Sequence, residues 1–237
     1  MEPDPTDNSI STACVGDCQG HAVNIPNWTQ VTVVGNGDTA RANVYQVAVA
    51  GVGGKATYKD GGDGGPTGGA HGVVAVASQY GHAIAGNGGV AISNGGLSEA
   101  EGWAIAHTKG GIAKAKSCGV AVAAGGYASA EKHGIGIGWF SNSHPSRVEA
   151  GPGGVAIGDT GCFVKVGKDG VLIALAHPNL LRTTKICRVG ECGGLGEIKA
   201  DQWYEIVLDN EGQFQFKTNS PPKSETPESP CPLPPMP

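Results

Sequence analysis

Between residues 73 and 138 small and variable positions alternate with period two, in short bursts that mostly open on glycine. The bursts read Val73-Val-Ala-Val-Ala, Gly81-His-Ala-Ile-Ala, Gly89-Val-Ala-Ile-Ser, Gly96-Leu-Ser-Glu-Ala and Gly102-Trp-Ala-Ile-Ala. They continue as Gly111-Ile-Ala-Lys-Ala, Gly119-Val-Ala-Val-Ala, Gly126-Tyr-Ala-Ser-Ala and Gly134-Ile-Gly-Ile-Gly, and Gly154-Val-Ala-Ile-Gly rejoins after an insertion. Starts fall six to nine residues apart, about eight on average. Self-similarity at a fixed period marks a stacked repeat, and alternation with period two marks strands. A helix fails here, because a glycine every eighth residue costs about 1 kcal/mol each time. The pattern therefore predicts an all-β chain: a two-sided β-solenoid with about eight residues per half-turn.

Which row faces inward follows from chemistry. The third and fifth positions of each burst are Ala, Ser or Gly, whereas the second and fourth include His82, Glu99, Trp103, Lys114 and Tyr127. An unpaired charge is costly to bury and cheap to expose, so the small row makes a thin core. For two-sided coils the bursts then divide by parity. One sheet presents Val74, Val76, Val90, Ile92, Trp103, Ile105, Val120, Val122, Ile135 and Ile137 outward, all apolar. The other presents His82, Ile84, Leu97, Glu99, Ile112, Lys114, Tyr127 and Ser129. A monomer seldom leaves more than a few hundred Å² of contiguous apolar surface bare, so the apolar sheet is expected to be an interface. Its cover is a second copy, another part of the chain (the 28–50 hairpin or the C-terminal module), or a foreign protein such as a host factor.

The flanks differ. Residues 1–25 are polar and are expected to be flexible. Trp28 to Val34 and Val44 to Ala50 read as strands about Gly35-Asn36-Gly37-Asp38, a hairpin signal, and a Gly-rich loop follows to residue 70. The solenoid is assigned to 71–169. A β cap over 170–217 includes Val171–Ala176, Lys185–Val189 and a hairpin of Trp203–Leu208 with Gln213–Phe216. From 218 to 237 proline and charge predict a disordered tail.

Composition narrows the function. Glycine contributes 41 of 237 residues without a period of three, which excludes collagen. Aromatics are only 5%, so no core of large side chains is available. A net charge of −5 with scattered basic residues gives no footprint for nucleic acid. No apolar run reaches the length of a membrane helix, and the acidic start Met1-Glu2-Pro3-Asp4-Pro5 does not read as a secretion signal. The expected setting is the cytoplasm of a host cell or a virion. Seven cysteines then point mostly to free thiols.

Candidate chemistry is sparse. Gly35-Asn-Gly-Asp-Thr-Ala40 matches a dinucleotide fingerprint, but that motif needs a helix after it and a strand-like run follows. Cys14-x3-Cys18 and Cys187-x4-Cys192 have spacings near those of zinc ligands, with disulfides or free thiols as alternatives. His82 takes an outward position, while His71, His107, His133 and His144 fall in corners. No catalytic residue, metal or cofactor is assigned, and the chain reads as a non-enzyme. The repeats, with Ile198-Lys-Ala-Asp-Gln-Trp203-Tyr204 after them, resemble uncharacterised phage and bacterial Gly-Ala-rich β-roll proteins that end in an Ile-Lys-x-x-x-Trp-Tyr hairpin. That resemblance covers about 73–217 and implies a phage-linked scaffold or binding protein, or a fibre-like or adhesin-like particle component.

Overall fold

The computed structural model describes residues 22–23, 31–42, 47–58, 74–141, 144–175, 184–191, 196–219 and 221. The described residues form strands and no helix. In chain order these are β1 (Ala22–Val23), β2 (Val31–Val34), β3 (Thr39–Ala42), β4 (Val47–Ala50), β5 (Lys55–Tyr58), β6 (Val74–Gln79) and β7 (His82–Ala85). Next come β8 (Val90–Asn94), β9 (Leu97–Ala100), β10 (Ile105–Lys109), β11 (Ile112–Ala115), β12 (Val120–Ala124), β13 (Tyr127–Ala130) and β14 (Ile135–Trp139). The last are β15 (Arg147–Ala150), β16 (Val155–Asp159), β17 (Phe163–Val166), β18 (Val171–Leu175), β19 (Thr184–Arg188), β20 (Trp203–Leu208) and β21 (Phe214–Thr218).

Up to β18 the odd strands stack in one sheet and the even strands in the other, each parallel to its neighbours. The protein is a two-sided β-solenoid of about eight turns. Ile105 pairs with Val120 and Val120 with Ile135, so a regular coil advances 15 residues. The coil from Val31 to Val47 takes 16, and the one from Ile135 to Val155 absorbs the insertion.

Sequence expectations at both ends of the solenoid are corrected. The predicted hairpin over 28–50 does not exist: β2 and β4 pair in parallel in the even sheet, with β3 crossing to the odd sheet between them. Asn36-Gly37 makes a tight corner, with Gly37 at φ +76°, and that turn serves a coil as well as a hairpin. The Gly-rich stretch is not all loop either, since Lys55–Tyr58 is a rung between β3 and β7. Parallel stacking also runs on through β18, past the expected limit at 169. Within the predicted flexible segment 1–25, Ala22–Val23 instead form β1, paired in parallel with β3; the rest of that segment and most of the tail lie outside the described residues.

The small row does fill the interior. Ala48, Ala75, Ala91, Ala106 and Ala121 from the even sheet and Ala56, Ala83, Ala113 and Ala128 from the odd sheet are fully buried. Glycine at the corners is required by close stacking. A Cβ on Gly96, Gly111 or Gly126 would collide with the carbonyl oxygen of Gly81, Gly96 or Gly111 in the coil below. Buried hydroxyls in the central coils are paired inside the roll. Ser98 Oγ donates to the His107 carbonyl at 2.8 Å, and Ser93 Oγ donates to Thr108 Oγ1 at 3.2 Å.

The C-terminal module closes one end. β19 pairs antiparallel with β18, and β20 pairs antiparallel with β17 and with β21. Leu172, Ile198, Tyr204, Ile206, Phe214 and Phe216 form the cluster of large side chains that the coils lack. Lys185 Nζ donates to the Phe214 carbonyl at 2.9 Å, tying the two sheets across the open end. The Ile-Lys-x-x-x-Trp-Tyr motif has clear parts here. Ile198 is buried, Lys199 N donates to Tyr204 Oη at 2.8 Å, and Trp203 packs under the Lys165 ammonium 5.1 Å from its ring centre.

Candidate interaction face

Outward positions of the even sheet form two columns, held in register by the parallel ladder. One runs Val31, Val47, Val74, Val90, Ile105, Val120, Ile135, Val155 and Val171. The other runs Val33, Val49, Val76, Ile92, His107, Val122, Ile137, Ile157 and Ile173. β-Branched side chains suit this exposed pleat, because their stiff χ1 packs against the same residue type one strand away. None of these side chains is fully buried, and Ile105 is 42% exposed.

Nine of the ten residues expected on this face stand on it, and Trp103 does not. Trp103 occupies a corner at φ +58°, 78% exposed, because Ala104 and not Gly102 takes the place that Gly89 and Gly119 hold in neighbouring coils. The register therefore puts Ile105 and His107 in the outer row, and His107 is not a corner residue. The 15-residue step from Val90 to Ile105 to Val120 carried that signal, and alignment on glycine hid it. The coils before residue 58 and after 154 extend the face beyond what the repeats alone predict.

Cover from within the chain fails for both predicted segments. β2 and β4 are rungs of the sheet they were expected to cover, and the C-terminal module sits over the end of the stack. Tyr80, 75% exposed at φ +57°, stands at the corner that follows β6.

The odd sheet is chemically different. His82 Nε2 lies 3.2 Å from Glu99 Oε2, and Lys114 Nζ reaches Glu99 Oε1 at 3.4 Å. Lys116 pairs with Glu101 at 2.7 Å and Lys165 with Glu149 at 2.6 Å. Tyr127 Oη donates to Glu149 Oε2. Burial, then the carboxylate beside it, pushes the Tyr127 phenol up to about 12. Burial lowers His82 despite Glu99. These pairs satisfy one another along a solvated face.

Other candidate chemistry resolves as local structure. Thr39–Ala42 after the Gly35 corner is a strand, so no helix N-terminus meets a phosphate there. Cys118, Cys162 and Cys187 are free thiols; Cys14, Cys18 and Cys192 lie outside the described residues. Burial and the Asp159 carboxylate raise the Cys162 thiol well above its ordinary value, and its Sγ–H donates to Asp159 Oδ1 at 2.8 Å. Among the described residues no group of three His, Cys, Asp or Glu is arranged to hold a metal. No protein-family model, no curated protein and no solved structure matches this chain.

Proposed function

We propose that this protein is a non-catalytic scaffold that assembles by packing its even sheet face to face against a second copy. The observation that carries this reading is the pair of β-branched columns on one sheet, broken only at His107, opposed to ion-paired columns on the other. The nine parallel strands of the even sheet span about 40 Å at 4.8 Å per strand, and the outward columns with their flanks about 13 Å. That is about 500 Å² of sheet plane on each copy and about 1,000 Å² over both, the least a specific interface needs. A flat ladder of Val and Ile is complementary to itself, and sheets pack about 10 Å apart in this way.

The likeness of the repeats and the Trp203-Tyr204 hairpin to phage and bacterial β-rolls supports a phage-encoded scaffold in the host cytoplasm or on the particle. A second reading, a particle component such as a fibre or adhesin-like tip, rests on the same likeness.

The test is sizing by light scattering of the whole chain with Val122→Lys and, as control, Ile84→Lys. Val122 sits mid-face, and Ile84 pairs in register with Glu99 on the other sheet. A dimer in the native chain that is lost in Val122→Lys with strand content kept, and retained in Ile84→Lys, supports the proposal. A native chain that is monomeric at working concentration overturns it.

A further inference from the structure

We infer that this self-association is gated by protons at His107, a regulation that rests on the face-to-face reading above. His107 is the single polar residue in the two outward columns, where every other position is Val or Ile. It is also central. β10 is the fifth of the nine parallel strands of the even sheet, with β2, β4, β6 and β8 on one side and β12, β14, β16 and β18 on the other.

That position fixes what His107 meets. Two sheets that face each other are related by a two-fold axis lying between them. If the axis runs along the solenoid, each strand lies over its own copy. If it runs along the strands, full overlap of the face centres it on β10. Either way β10 packs on β10, and both His107 side chains enter one pair of facing strands.

The surroundings offer a charged ring nothing. Its neighbours in register are Ile92 on β8 and Val122 on β12. The charged residues on the strands of this sheet are Lys109, Asp159, Lys185 and Arg188 besides His107. Lys109, two residues along β10, adds a like charge. Lys185 and Arg188 belong to the terminal strand β19, Lys185 directed to the Phe214 carbonyl. The sole carboxylate, Asp159, lies three strands away and accepts from Phe140 N at 2.8 Å. Histidine is the side chain whose ordinary charge change falls between pH 5 and 8. A neutral imidazole can be covered between apolar sheets, whereas two imidazoliums there face desolvation and mutual repulsion. Protons therefore bind the separated copies in preference, and acid drives dissociation by linkage.

The experiment is sedimentation velocity on the full chain from pH 8.0 to 5.5, with His107→Gln, His107→Lys and, as control, His82→Gln. The dimer Kd of the native chain and of His82→Gln is expected to rise more than about tenfold toward pH 5.5, the ceiling being about a hundredfold per pH unit for two protons. His107→Gln should hold a Kd that is flat with pH, and His107→Lys should be monomeric already at pH 8. A native dimer that ignores pH overturns the gate and leaves self-association standing. Dissociation of His107→Gln in parallel with the native chain also overturns it. A native chain monomeric at pH 8 overturns the self-association on which the gate rests.

Discussion

At Gly138 a single methyl group would meet Val148 Cγ2 at 2.5 Å and Ser146 Cβ at 2.7 Å. Gly136, two residues earlier, faces Val148 Cγ1 at 2.8 Å in the same way. The run Gly134-Ile-Gly-Ile-Gly thus departs from the Gly-x-Ala-x-Ala rule because the facing rung carries Val148, where the coils before it carry Ala128 or Ala113. The same exchange recurs at Gly158, where a Cβ would lie 2.9 Å from Val164 Cγ1. Volume is conserved across the roll, not position by position, as close packing demands. Gly138→Ala should destabilise by about 1–3 kcal/mol through overpacking. Combined with Val148→Ala, the same change should cost clearly less, with part of the penalty kept because Ser146 remains in the way. Thermal melts of the two single variants and the double variant decide it, and strict additivity would contradict the shared space.

Strands β13, β15 and β17 carry the strongest cross-strand chemistry, with Tyr127 donating to Glu149 and Glu149 pairing with Lys165. Burial and this carboxylate favour the neutral phenol in the folded chain, raising its value from 10.0 to about 12. A group raised on folding contributes stability that is whole below its unfolded value and is lost as pH climbs through the folded one. The native chain should therefore lose stability steeply between pH 10 and about 12, as the unfolded chain releases the Tyr127 proton first. Tyr127→Phe should flatten that part of the profile, which urea melts across pH 9–12 would show. A profile that keeps its slope in Tyr127→Phe places the alkaline loss elsewhere.

Elements of this kind were legible where Gly-x-Ala-x-Ala recurs, since period two and a thin core follow from the letters alone. Val31–Val34 and Lys55–Tyr58 were not legible as rungs. Asn36-Gly37 encodes a reversal of the chain without saying whether the next strand joins the same sheet or the opposite one. Trp103 and His107 were misplaced because Ala104 stands where other coils have glycine, and only the register of stacked coils shows the equivalence. The apolar face could be read, whereas its full extent and its histidine could not.

Across the whole molecule each coil touches the coils before and after it, so stability passes along the stack by nearest-neighbour contacts. The thin Ala coils have little apolar area of their own, whereas the C-terminal end owns Leu172, Ile198, Tyr204, Ile206, Phe214 and Phe216. Ile206 is the keystone of that end. Its side chain is fully buried, its N–H donates to the Cys162 carbonyl, and its carbonyl accepts from Gly161 N. Ile206→Ala removes buried apolar volume while leaving those backbone bonds possible, at a cost of about 2–5 kcal/mol. In a one-dimensional stack that loss loosens the adjoining coils first. Hydrogen exchange followed by mass spectrometry should show faster exchange at Val164, Val166, Leu172 and Ala174. Peptides covering Ala91 and Ala106, several coils away, should keep their native protection. Equal acceleration along every strand would mean that the solenoid opens as one cooperative body, and that the cap stabilises the entire roll rather than the end it covers.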